Sequence, residues 1–97
     1  MSKKIGDVSL IKSLRDLGFR LGCTRVDIDN PPDYKSLFVA LKVSFVWEHY
    51  EGGPDLIISH DVSWSKLDMY SNNWPELAQS FERSVISDMN TMGIARK

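Results

Sequence analysis

Leu37-Phe38-Val39-Ala40-Leu41-Lys42-Val43-Ser44-Phe45-Val46-Trp47-Glu48-His49-Tyr50, then Glu51-Gly52-Gly53-Pro54, then Asp55-Leu56-Ile57-Ile58-Ser59-His60-Asp61-Val62-Ser63-Trp64, is the stretch from which the architecture follows. Its first part alternates, with Leu37, Val39, Leu41, Val43, Phe45 and Trp47 on one side and Phe38, Lys42, Ser44, Val46, Glu48 and Tyr50 on the other. A period of two is that of a strand. Glu51 to Pro54 is rich in turn formers, and beyond it Leu56, Ile58, Val62 and Trp64 alternate against Asp55, Ser59, Asp61 and Ser63, which predicts a hairpin. With Tyr50 set across from Asp55, Trp47 faces Ile58, Phe45 faces His60 and Val43 faces Val62. Both apolar rows then fall on the same side of the sheet, so loop length and side-chain phase agree.

Upstream, Thr24 to Asp29 alternates in the same way, with Val26 and Ile28 against Arg25, Asp27 and Asp29, and Asn30-Pro31-Pro32-Asp33 stops the strand because proline has no backbone donor. Before it, Val8, Leu10, Ile11, Leu14 and Leu17 recur at helical spacing, which predicts a helix from Val8 to Leu17 capped by Asp7 and ended by Gly18. Downstream, the polar stretch Ser65 to Asn72 reads as loop. Asn73-Trp74-Pro75-Glu76 then supplies a cap, a first-turn proline and an acid at the third position, and Trp74, Leu77, Ala78, Phe81, Val85, Met89 and Met92 line one face of a helix about 28 Å long that Gly93 ends. The expected fold class is α+β, a three-stranded antiparallel sheet with two helices packed on one face, in the order α-β-β-β-α.

The 97 residues suffice for a single domain, 1–97, and an apolar share of 42% is enough to build its core. A lone cysteine, Cys23, cannot form an internal disulfide, and the opening residues lack the apolar run of a secretory signal, so the chain is expected to be soluble and cytoplasmic. No apolar run approaches the roughly 20 residues of a membrane span. Cys23, His49 and His60 are the candidates for nucleophilic or metal chemistry, but the two histidines fall roughly 13 Å apart along the hairpin, too far to share an ion. Gly52-Gly53-Pro54 is too short to cradle phosphate and precedes no helix. The expectation is a protein without catalytic residues, metal or cofactor.

Charge is sorted along the chain. Residues 1–25 carry Lys3, Lys4, Lys12, Arg15, Arg20 and Arg25 against two acids, whereas Asp27, Asp29, Asp33, Glu48, Glu51, Asp55 and Asp61 follow with only Lys35 and Lys42 to offset them, inside a net charge of −1. With the helices on the apolar face, those seven carboxylates belong to the open face and its turns, with Phe38, Val46, Tyr50 and Ile57 among them as apolar anchors. A spaced array of anions suits a groove built for nucleic acid. In size, single domain and acidic face the chain resembles in kind the small phage-encoded inhibitors of host defence, including the anti-CRISPR proteins. That resemblance implies a DNA-mimicking inhibitor that binds a protein partner with a basic groove, such as a CRISPR effector complex, and does not itself bind nucleic acid; no membrane contact is expected, and the sequence leaves the oligomeric state open, with a monomer favoured. The partner-binding residues would be Asp27, Asp29, Asp33, Glu48, Glu51, Asp55, Asp61 and Tyr50. Two rivals are a nucleic-acid-binding accessory protein working through the basic first helix, and a protein of the toxin-immunity type.

Overall fold

The computed structural model describes residues 8–30 and 37–94 of the chain. The elements are α1 (Val8–Arg20), β1 (Arg25–Asp29), β2 (Val39–Trp47), a 3-10 turn (Tyr50–Gly52), β3 (Leu56–Ser63), α2 (Trp64–Met69) and α3 (Trp74–Met92). The strands form one antiparallel sheet in the order β1-β2-β3. Helices stand at both ends of the chain, as the periodicity predicts, and α2 is an additional short helix between β3 and α3.

The core lies between the sheet and the helices. Leu10, Leu14 and Leu17 of α1, Leu77, Phe81, Val85 and Met89 of α3, Leu67 of α2, and Leu41, Val43, Phe45, Ile58 and Val62 of the hairpin are all buried in one cluster. Burying each of these large apolar side chains contributes about 1.5–3 kcal/mol, which orients both long helices onto the same face. Among the described residues no helix packs against the other face of the sheet.

Four expectations are corrected. The hairpin pairs Trp47 with Leu56, Phe45 with Ile58 and Val43 with His60, two residues away from the expected register. A slip of two preserves the phase, so the same side chains face the helices. The slip arises because β2 ends at Trp47 and the connection runs from Glu48 to Asp55. Within it His49 and Glu51 adopt left-handed backbone (φ 49° and 52°), and the Asp55 carboxylate accepts from the His49 amide at 2.9 Å. His49, which strict alternation would place on the helix-covered face with Trp47, is thereby exposed at the tip.

Second, the alternation of β2 breaks at Ala40. Val39 pairs with Ser63 but Leu41 pairs with Val62, so a bulge inserts Ala40. Ala40 and Leu41 both enter the core, and Val39, directly opposite the outward Ser63, moves to the open face. Third, Trp64–Met69 is helical where a loop is expected. Ser63 caps it by accepting from the Lys66 amide at 3.0 Å, and Leu67 fastens it to the core. Fourth, α1 continues past Gly18 to Arg20, and Gly22 (φ 89°) makes the turn out of it. Asp7, the expected cap of α1, lies outside the described residues. The carboxy-terminal helix agrees at both ends: Asn73 accepts from the Glu76 amide at 3.4 Å, and Gly93 turns the chain at φ 78°.

Cys23 is free and buried. Desolvation pushes its thiol pKa up, and hydrogen bonds with backbone at Val46, Cys23 and Arg25 offset this only in part. A thiol pKa that is higher folded than unfolded stabilises the fold fully below about pH 8.5, and that contribution is lost as pH rises through the folded value. The expected result is slow modification of Cys23 by a thiol-specific reagent at pH 8, at least tenfold slower than in denaturant. Equal rates in the two conditions would contradict the burial.

Candidate partner-binding surface

The open face is laid out by the register in rows across the three strands. Arg25, Val46 and Ile57 form one row, Asp27, Ser44 and Ser59 the next, and Asp29, Lys42 and Asp61 the third. Successive rows are about 6.6 Å apart and neighbouring strands about 4.8 Å. Asp29 and Asp61 thus stand roughly 10 Å apart, on either side of Lys42. The middle row is low, since Ser44 is buried and its hydroxyl shares a 3.0 Å hydrogen bond with Ser59. Carboxylates therefore rise at the ends of rows around a shallow centre.

At the hairpin end, Arg25 organises the acids. Its Nε donates to both Asp27 oxygens at 3.0 and 3.1 Å, and its Nη1 donates to Glu48 Oε2. The Asp27 hydrogen bond is the largest influence on the guanidinium and raises its pKa, desolvation lowers it, and the charges of Asp27, Glu48 and Asp55 raise it again. Half-exposed pairs of this kind contribute little to stability. Their effect is geometric, because one planar fork fixes a carboxylate of β1 and one at the first residue of the hairpin connection. Thr24 continues the same seam, its hydroxyl accepting from the Glu48 amide at 3.1 Å.

Of the residues expected to bind a partner, Asp27, Asp29 and Asp61 lie on the open face, and Glu48, Glu51 and Asp55 lie exposed at the hairpin tip that adjoins it. Asp33 is outside the described residues. Tyr50 is half-buried and packs against the core from the 3-10 turn, so it does not stand among the carboxylates. Among the other expected anchors, Val46 is buried in its row, Ile57 is half exposed beside it, and Phe38 is exposed in the turn just before β2. Alternation alone assigns Arg25 to this face, but it does not reveal that Arg25 joins Asp27 to Glu48. The signal for the first half of that clasp is the opposite charge at i and i+2 on one strand face; the second half depends on cross-strand register.

A second constellation sits on the helix side. His60 Nε2 lies 3.1 Å from Asp88 Oδ2, the ring stands 5.9 Å from that of Phe81, and Lys66 Nζ lies 4.4 Å above the Phe81 ring. These contacts tie β3 to α3 and α2 to α3, and nothing in the sequence spacing brings residues 28 apart together. Among the described residues no three or more His, Cys, Asp or Glu side chains are grouped to hold a metal ion. No helix among them is long and apolar enough to cross a membrane. No protein-family model, curated protein or solved structure matches this chain.

Proposed function

We propose that this protein is a non-enzymatic inhibitor that occupies a basic, nucleic-acid-binding groove of a partner protein with the open face of its sheet and the adjoining hairpin tip. The observation that supports it is one of placement. Asp27 and Asp29 of β1 and Asp61 of β3 stand on the open face, and Glu48, Glu51 and Asp55 are exposed on the hairpin connection that adjoins it, while the cations of that face among the described residues are Arg25 and Lys42. Those two cations leave the surface anionic, and Arg25 holds the spacing of Asp27 and Glu48. A groove that concentrates phosphates carries Lys and Arg with displaceable counter-ions, so an array of fixed carboxylates can take the place of the nucleic acid. A CRISPR-type effector complex is a partner of this chemistry, in keeping with the resemblance in kind noted above.

The basic first helix supports the accessory-protein reading less well. Lys12 pairs with Asp16 at 2.9 Å, and Arg20 stands 4.0 Å from Glu82, so part of its charge is met within the molecule.

The test is competition. The protein is immobilised, a bacterial lysate is passed over it, and the proteins retained are challenged with duplex DNA and with rising salt. The expected result is release by both, with no retention of labelled duplex DNA by the protein itself. Direct retention of DNA would favour the accessory reading, and a complex indifferent to DNA and salt would favour the toxin-immunity type.

A further inference from the structure

We infer that the groove between α1 and the outer edge of β1 is a strand-addition site for an extended partner segment that carries an apolar, a basic and an acidic residue in succession. Among the described residues β1 pairs with β2 alone, so its other edge offers main-chain donors and acceptors to an added strand. Along that edge runs a groove of about 320 Å³, lined by Ile11 and Arg15 of α1 and by all of residues 26–30. Consecutive strand residues point to opposite faces, so a groove that touches five in a row follows the edge itself. α1 forms its wall on the helix side.

Two charges in this groove are unmatched. Among the described residues Arg15 and Asp29 take part in no ion pair and no side-chain hydrogen bond, whereas Lys12, Arg20 and Arg25 all have carboxylate partners. They stand on different sides, Asp29 on the open face and Arg15 on the helix side. Their positions along the groove follow from Gly18, which lies against Val26, and from the short connection that turns β1 back along α1. Going back from Gly18, Arg15 and Ile11 come about 4.5 and 10.5 Å along the helix. Going forward from Val26, Ile28 and Asn30 come about 6.6 and 13 Å along the strand. An added residue opposite Ile28 therefore turns toward Arg15 and suits an acid. The residue opposite Asn30 turns toward Ile11 and suits an apolar side chain, and the one between them, opposite Asp29, points to the open face and suits a base. The alternation of a strand meets all three requirements at once. In an antiparallel segment, the arrangement of the other pairs in this sheet, the order reads Val-Lys-Glu. The same charges disfavour a second copy of the chain. Two β1 strands in full antiparallel overlap centre on Asp27, which sets Asp27 against Asp27 and Arg15 against Arg15 of the two molecules. This inference goes beyond the blocking role and shares only Asp29 with that surface.

The test uses the isotope-labelled full chain and the capped heptapeptide Thr-Thr-Val-Lys-Glu-Thr-Thr, followed by amide chemical shifts. Shifts are expected at residues 26–30 and on α1 at Ile11 and Arg15, with β3 unmoved. Arg15→Glu should weaken binding at least fivefold with its melting temperature retained, and a peptide reading Val-Lys-Lys in place of Val-Lys-Glu should restore it. Only alternate amides of an added strand face β1. Of two peptides N-methylated on alternate residues, one should therefore lose at least tenfold in affinity while the other binds as before. Equal binding of the acidic peptide and its lysine counterpart by both proteins, equal affinities of the two N-methylated peptides, shifts centred on the hairpin tip, or no binding would overturn the inference. So would a peptide-free dimer whose shifts fall on β1. Arg15→Glu leaves every carboxylate of the proposed blocking surface in place and should capture a basic partner as before, whereas Asp61→Lys reverses one of them on the far strand and should not affect the peptide. Either property can thus be lost without the other.

Discussion

Gly18→Val should lower stability by at least about 3 kcal/mol, which is roughly 12 °C or more in melting temperature for a domain of this size. Gly18 lies inside α1 at its closest approach to the sheet. A Cβ placed there would meet Val26 Cγ2 at 2.3 Å, Cys23 Sγ at 2.6 Å and Phe45 Cδ1 at 3.2 Å. All three neighbours are buried, and Val26 and Cys23 are too short to swing aside, so the helix itself must move from the strand. Alanine is the sharper test. In an exposed helix it would gain about 1 kcal/mol over glycine, whereas here the overpacking cost of about 1–3 kcal/mol opposes that gain, and the net expectation is destabilisation. Val26→Ala removes the nearest obstruction, so Gly18→Ala should cost less in that background than alone. Thermal or denaturant unfolding of the two single variants and the double variant measures this coupling. A rise in melting temperature for Gly18→Ala alone would show that α1 does not seat against β1 as described.

The same glycine illustrates where sequence reasoning succeeds and where it stops. A glycine after a helical run of leucines reads as a terminator, and four residues later Gly22 performs that task at φ 89°. Only the proximity of Val26 and Cys23, set by tertiary packing, distinguishes the two. The strands, their order and the faces they bury follow from side-chain period, because a slip of two residues cannot change a period of two. The register itself does not follow, since it depends on the Asp55 carboxylate reaching the His49 amide and on two left-handed residues that no composition rule would place there. The bulge is hidden for another reason: Leu37 to Leu41 is apolar throughout, so alternation carries no information at the point where it fails. α2 spans six residues and buries only Leu67, too little for a helical period to emerge. On the open face, the acids are readable one by one, and the joining of Asp27 to Glu48 by Arg25 is a property of the paired sheet.

Exchange of both Asp27 and Asp61 for lysine should abolish capture of a basic partner, by more than about 100-fold, while the melting temperature shifts by only a few degrees. The two carboxylates lie in different rows and on the two outer strands of the open face. Reversal therefore replaces attraction by repulsion on both sides of the contact, and like charges across an interface cost several kcal/mol. The expected loss in stability is small. Asp27 gives up a half-exposed pair with Arg25, and the lysine that replaces Asp61 would stand opposite Lys42, each effect being worth about 1 kcal/mol or less at the surface. Net charge must be separated from placement. Asp16→Lys with Glu82→Lys makes the same change in net charge on the helix side, where these residues pair with Lys12 and Arg20. That variant should bind as the parent does, whereas a partner drawn only by overall negative charge would be lost in both. The salt dependence of capture gives a second reading, because each carboxylate that replaces a counter-ion in the groove adds to the slope of affinity against salt. Replacing Asp27 and Asp61 by asparagine should flatten that slope before it abolishes binding. Full capture by the face-reversed protein, with an unchanged slope, would mean that the open face is not the surface that binds.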